Sequence, residues 1–291
     1  MTDRGLAKSM LESERIRLDR EYNARAMTTH FDKDAIYKAR SAQAFTTVER
    51  IVDLVYDERS GSKLDIYPAG SGSPLFVWIH GGYWRASTKD ENGFVAPGLV
   101  KSGVSVASID YTLAPAASLD EIVRQVRAGV AWLVARAGHY GIDTRRIHVG
   151  GHSAGGHLTG MLLAGGWHDS FGLRADLIGT ALPVSGLFDL HPLRHTFVNG
   201  PLQLDVSAAS RNSPIEHLPE RSSARLVATC GGGESSEFRR QTDDYVARWR
   251  ERGFASRQIA MPGFHHFDII LELEKPGNPL FDALLSDIRA W

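Results

Sequence analysis

Arg146-Ile147-His148-Val149-Gly150-Gly151-His152-Ser153-Ala154-Gly155-Gly156-His157-Leu158 is the stretch on which the reading of this chain turns. Arg146–Gly150 has the short apolar pattern of a buried strand, and the helix formers Leu158, Met161, Leu162 and Leu163 follow. Between them, Gly151-His152-Ser153-Ala154-Gly155 fits G-x-S-x-G, a sharp strand-to-helix turn that strains its central residue and needs flanking glycines. Such a turn lifts the Ser153 hydroxyl above a sheet and sets it at the positive end of a helix.

Upstream, Leu75-Phe76-Val77-Trp78-Ile79 reads as another strand, and His80-Gly81-Gly82-Tyr83-Trp84 follows it directly. Acyl transfer develops negative charge on a carbonyl oxygen, and bare backbone beside glycines supplies preorganised N–H donors for it. The expected donors are the N–H groups of Gly82 and Tyr83, joined by Ala154 after the serine. Gly81 and Trp84 are further candidates for contact with substrate, and Tyr83 and Trp84 together could wall an aryl group or simply pack.

A serine hydroxyl needs a base. Of the twelve histidines, His152 and His157 flank Ser153 with poor geometry toward it. After an elbow of this kind the acid comes next and the histidine last. That order points to Pro262-Gly263-Phe264-His265-His266-Phe267, which offers two neighbours, His265 and His266. The unused one would be a solvated loop residue. The strand Ala224–Ala228 runs into Cys230-Gly231-Gly232-Gly233-Glu234, so Glu234 is the first carboxylate after it and the candidate acid. Glu237 reads as a first-turn residue matched to a helix dipole, and Asp243 and Asp244 as a solvated helix face.

The rest of the chain from about residue 50 alternates strand-like and helical stretches. Val104–Ile109, Ile147–Val149, Ala181–Val184 and Arg257–Met261 are further strand candidates. Ser118 with Glu121 forms a capping box for a helix with Ile122, Val126, Val130, Leu133 and Val134 on one face, ending at Gly138. A later helix carries Phe238, Tyr245, Val246 and Trp249 and ends at Gly253. The pattern predicts an α/β fold with a mostly parallel, doubly wound sheet flanked by helices. Residues 1–45 are charge-rich and helical in pattern. They predict an N-terminal extension, a candidate lid or cap folded across a catalytic domain of residues 46–291.

Composition narrows the function. The 291 residues are 43% apolar and 23% charged with a net charge of −1, which suits a soluble globular enzyme and not a phosphate-binding nucleic-acid protein. One cysteine, Cys230, allows no intrachain disulfide and reads as a small strand-end residue. No apolar block has the length of a signal peptide or membrane helix, so the expected location is cytoplasmic with no membrane partner. No metal or other cofactor is expected. His191 and His195 are four apart, but Pro192 intervenes and no carboxylate completes a ligand set. Gly231-Gly232-Gly233 lacks the lysine of a phosphate loop. The expected partner is a small-molecule substrate, with homodimerisation left open.

Taken together these segments resemble the α/β-hydrolase family of kynurenine formamidases (arylformamidases), relatives of the hormone-sensitive-lipase-like esterases. The resemblance runs over most of the chain. It rests on Tyr22-Asn23-Ala24-Arg25-Ala26, His80–Trp84, Gly151–Leu158, Ser185-Gly186-Leu187-Phe188-Asp189-Leu190, Glu234-Ser235-Ser236-Glu237-Phe238 and His266-Phe267-Asp268-Ile269-Ile270. It implies the α/β-hydrolase fold, with Ser153 as nucleophile, His266 rather than His265 as base, and Glu234 in the acid position. Two departures stand out: a glutamate at 234 where relatives carry aspartate, and His265 where an acidic residue is common. The implied reaction is hydrolysis of N-formyl aryl amides such as N-formylkynurenine through a formyl-serine. Carboxylesterase action on short aryl or alkyl esters is the alternative.

Overall fold

The computed structural model describes residues 3–291. Eight strands form one sheet: β1 (Ile51–Asp57), β2 (Ser62–Tyr67), β3 (Ser73–Ile79), β4 (Ser105–Ile109), β5 (Ile142–His152), β6 (Ile178–Val184), β7 (Arg225–Gly231) and β8 (Ser256–Met261). Their spatial order is β1-β2-β4-β3-β5-β6-β7-β8. β2 runs antiparallel to both its neighbours, and every pairing from β4 to β8 is parallel.

The period-two geometry of a strand explains why the central segments read as unbroken apolar runs. Along β3, Leu75, Val77 and Ile79 enter the core on one face of the sheet, while Phe76 and Trp78 enter the core on the other. Helices Leu119–Arg136, Ala154–Leu163 and Ser236–Glu251 cover the first face. Ala96–Lys101 and Pro279–Arg289 cover the second. The result is the α/β-hydrolase fold.

The predicted helices form with small shifts at their ends. Ser118 accepts a hydrogen bond from the Glu121 N–H and caps Leu119–Arg136. That helix ends before Gly138: a 3₁₀ turn, Ala137–Tyr140, carries the chain on to Gly141, which takes the left-handed conformation. The β1–β2 hairpin is absent from the apolar runs read above. β1 lies at the sheet edge with only Tyr56 fully buried, so no alternation marks it. Among the described residues no helix is long and apolar enough to cross a membrane.

Ahead of the sheet lie α1 (Asp3–Glu21), α2 (Ala24–Met27) and α3 (Lys33–Ala44). Buried Leu18, Tyr22, Ala24 and Tyr37 pack them onto the core, and polar side chains add specific ties. Tyr22 is fully buried; its hydroxyl donates to Glu237 (3.0 Å) and accepts from Gln241 (2.9 Å). Arg17 also reaches Glu237 (3.2 Å), and Asp19 accepts the Phe197 N–H (2.6 Å). Tyr37 donates to the Phe267 carbonyl (2.6 Å). Glu237 is therefore more than a dipole-matched first-turn residue: it anchors the N-terminal segment.

Candidate active site

The parallel strands deliver the candidate residues to one edge. Ser153 follows β5, the His80–Trp84 loop follows β3, Ser185 follows β6, Glu234 follows β7 and His266 follows β8. This is the carboxyl edge, where open α/β sheets bind ligands.

Ser153 sits between β5 and the helix Ala154–Leu163 with φ +57°, a conformation rare for a side-chain-bearing residue. Its N–H donates to the Val184 carbonyl (2.8 Å) and its carbonyl accepts from His157 (2.9 Å), so backbone on both sides holds the strain. Gly155 explains the glycine requirement, because a Cβ there would lie 2.0 Å from the Ile79 carbonyl oxygen. The register Ile79↔Gly151 brings the β3 loop beside this turn. Within that loop Gly82 has φ +104°, and a Cβ on it would meet the Ala86 carbonyl oxygen at 2.2 Å. Among the described residues, no acceptor takes the N–H of Gly82, Tyr83 or Ala154. Ala154 opens its helix, where backbone donors lack intrahelical partners.

Glu234 and His266 meet directly: the Nδ1–H of His266 donates to Glu234 Oε2 at 2.6 Å. The second carboxylate oxygen accepts from the Ser185 hydroxyl (2.5 Å) and the Gly231 N–H (2.7 Å). Burial pushes the Glu234 pKa up, but the His266 charge and these three hydrogen bonds outweigh it and hold the carboxyl below its ordinary value. His266 packs against Phe238 (4.4 Å between ring centroids), Phe267 (5.1 Å) and His152 (4.6 Å). With Nδ1 engaged, its Nε2 is the nitrogen left to accept a proton. Ser153 and His266 line the same cavity, of about 150 Å³.

Gly81, Gly82 and Tyr83 line that cavity as well. Trp84 does not. It also has a left-handed φ of +57°, which turns its indole back into the core, where it is fully buried and donates to His157 Nδ1 at 3.1 Å. The expectation of Trp84 as a substrate wall is corrected on that ground. His157 Nε2 in turn faces the Asn212 carbonyl (2.7 Å), and burial lowers the His157 pKa to about 4. His152 is likewise held neutral, by burial first and the nearby His266 second.

His265 stands apart from Glu234. Its Nδ1 accepts the N–H of Phe267 (3.1 Å), and its ring sits edge-on to His30 and Phe31. It is half-buried and shapes the loop, which corrects the expectation of a solvated residue for the unused histidine. Burial raises the Cys230 thiol well above its ordinary pKa. His191 does meet a carboxylate, Glu216 at 2.9 Å, which its sequence spacing did not show. Even so, no metal-binding group of three or more ligands occurs among the described residues.

Ser185 was missed as a functional candidate. It is buried with φ +50°, and its contact with Glu234 spans two strands, a relation that local sequence cannot show. From the N-terminal segment, Asn23, Arg25, Lys33 and Tyr37 line the cavity.

Comparison with known proteins places this geometry. Residues 64–172 match the BD-FAE family model. The chain is 31% identical to the kynurenine formamidase of Danio rerio, over 97% of this chain and 98% of the relative. It is 32% identical to that of Salmo salar, over 92% and 95%. The chain belongs to the kynurenine formamidase family. Within solved structures, this family member superposes on a protein from Silicibacter sp. tm1040, provisionally assigned as a thioesterase, with a TM-score of 0.78 and 29% identity over 94% of this chain and 98% of that one. Esterase B of Lactobacillus rhamnosis shares the fold at a TM-score of 0.70 and 18% identity, over 97% and 95%. The protein is an enzyme, a hydrolase of the α/β-hydrolase fold.

Proposed function

We propose that this kynurenine formamidase family member hydrolyses N-formyl aryl amides, N-formylkynurenine foremost, through a covalent formyl-serine. The observation that carries the reading is a single cavity bringing together strained Ser153, His266 and the unpaired N–H groups of Gly82 and Tyr83, with Glu234 bonded to His266 Nδ1 behind it. Ser153 Oγ attacks the formyl carbon while His266 Nε2 takes its proton, and Glu234 stabilises the imidazolium. The N–H groups of Gly82, Tyr83 and Ala154 hold the oxyanion. His266 then gives its proton to the departing aryl amine. Water, deprotonated by His266, hydrolyses the formyl ester and releases formate.

Two features support an aryl formamide over a larger acyl donor. The cavity is compact, and the relatives matched along nearly their whole length are named kynurenine formamidases. On this reading the N-terminal helices cap the site, which is supported by Arg25, Lys33 and Tyr37 lining the cavity. A carboxylesterase is the second reading, favoured by the esterase fold neighbours. The test is kcat/KM on N-formylkynurenine against short p-nitrophenyl esters, because specificity is that ratio. Preference for the formamide is expected; a strong ester preference would replace this reading with the second.

A further inference from the structure

The cavity is lined by three cationic side chains, Arg25, Lys33 and Arg85, and by no carboxylate. Two of the three share a counter-ion: Arg25 and Lys33 each lie 2.9 Å from Asp34. Arg85 has none. It is exposed, its guanidinium makes no hydrogen bond and no ion pair among the described residues, and it lies 5.6 Å from the centre of the Phe197 ring. Phe197 itself is 39% exposed, an unusual place for a large apolar ring, and stands edge-on to Tyr83 at 6.1 Å. The cavity thus presents two aromatic rings and a planar, permanently charged donor free of protein partners, facing solvent beside them.

We infer that Arg85, assisted by Lys33 from the capping helices, forms an anion subsite that binds a carboxylate carried on the substrate's aryl leaving group. A guanidinium binds a carboxylate through two parallel N–H···O bonds, and the Phe197 and Tyr83 rings pack the aryl group between that anchor and Ser153. An excess of cation in a concave site also raises the local concentration of an anionic substrate. The preferred substrates are aromatic acids bearing an acylated amine or hydroxyl. This inference rests on the proposed serine hydrolysis and narrows its substrate class.

The test uses two matched pairs on the purified full chain: N-formylkynurenine against its methyl ester, and 3-acetoxybenzoate against methyl 3-acetoxybenzoate. Each pair differs only in the leaving-group carboxylate. The wild type is expected to favour the carboxylate by about tenfold or more in kcat/KM, carried by KM, as one charged hydrogen-bonded contact would give. Arg85→Gln is expected to bring the ratio close to one, Arg85→Lys to retain part of it, and Arg145→Gln, at the far end of β5, to leave it at the wild-type value. A ratio near one in the wild type for the pairs it hydrolyses, or a ratio that Arg85→Gln does not change, overturns the subsite. If the ester pair shows the Arg85-dependent ratio while neither formamide is hydrolysed, the subsite stands and the formamidase reading falls. If the formamides are hydrolysed without regard to charge, the formamidase reading stands and the subsite falls.

Discussion

The motif-bearing loops and the N-terminal helices meet at one cavity, yet they are held by different physics. The loops around Ser153 and Gly82 owe their shape to backbone: positive φ values, carbonyl contacts too close for a Cβ, and hydrogen bonds such as Ser153 N–H to Val184. Beneath them, Trp84, His152 and His157 are buried and uncharged. The N-terminal helices are held by side chains instead: Leu18, Tyr22, Ala24 and Tyr37 enter the core, and Tyr22 and Arg17 converge on Glu237. The difference teaches a division of labour: rigid backbone sets the reacting atoms, while side-chain tethers place the wall that selects the substrate.

The largest expected effect falls on the backbone-held side. Ser153→Ala should lower kcat/KM on aryl formamides and p-nitrophenyl acetate by at least about a thousandfold while leaving thermal stability near wild type, measured by steady-state kinetics and calorimetry. Retention of substantial activity would break the division, since the chemistry would then lie elsewhere.

Acidification should separate the two regions. His157 has a folded pKa of about 4, below the ordinary histidine value. The unfolded chain therefore binds its proton first, and stability is lost as pH falls from about 6.5 toward 4. This one group accounts for about 3 kcal/mol over that range. Glu237 behaves differently: burial raises its pKa, but Arg240, Tyr22 and Arg17 outweigh that and hold it below the ordinary carboxyl value. Its contribution is intact at pH 5 and is lost only as the pH falls below the ordinary carboxyl range. Denaturant unfolding from pH 7 to pH 4 should show a smaller acid loss for His157→Gln than for wild type, by about that amount. An identical slope in the two proteins would contradict the account of His157.

Ser185→Ala removes one of the two donors on Glu234 Oε1, leaving the Gly231 N–H, and should reduce kcat by about tenfold with little change in KM, the scale of one hydrogen bond to a charged group. Ser185→Thr, which keeps the hydroxyl, should recover part of the rate. A KM effect with kcat unchanged would make Ser185 a packing residue only.

The smallest effect should come from the tether. Tyr22→Phe deletes one hydroxyl shared by Glu237 and Gln241, at about 1 kcal/mol of stability. The expected readouts are a KM raised a few-fold, kcat near wild type and faster limited proteolysis of the first helix. A change in kcat larger than that in KM would mean that the helices take part in chemistry rather than in selection.

The same division explains what could be read from the chain alone. The elbow and the His80–Tyr83 loop are legible because backbone strain demands particular residues at fixed spacing, and glycines record it; the loop of His266 is legible from chain order, with the histidine last. Central strands such as β3 are legible because burial on both faces leaves an unbroken apolar run. The edge strand β1, half solvated and irregular, leaves no such trace. Nor do contacts between distant segments: Ser185 with Glu234, Tyr22 with Glu237, and the turn of Trp84 away from the cavity all depend on the assembled fold. His265 and His266, adjacent and chemically alike, could be separated only by resemblance, whereas one 2.6 Å contact with Glu234 distinguishes them in space.

Ser153 as the acyl-accepting nucleophile is the central claim, and stoichiometric labelling tests it most directly. The full chain would be titrated with a fluorophosphonate probe, the modified peptide mapped by mass spectrometry, and hydrolysis of N-formylkynurenine followed in the same samples. The account predicts one label per chain, on Ser153, absent in Ser153→Ala, with formamide hydrolysis falling in proportion to labelling. Full labelling of Ser153 with formamide hydrolysis undiminished would contradict it.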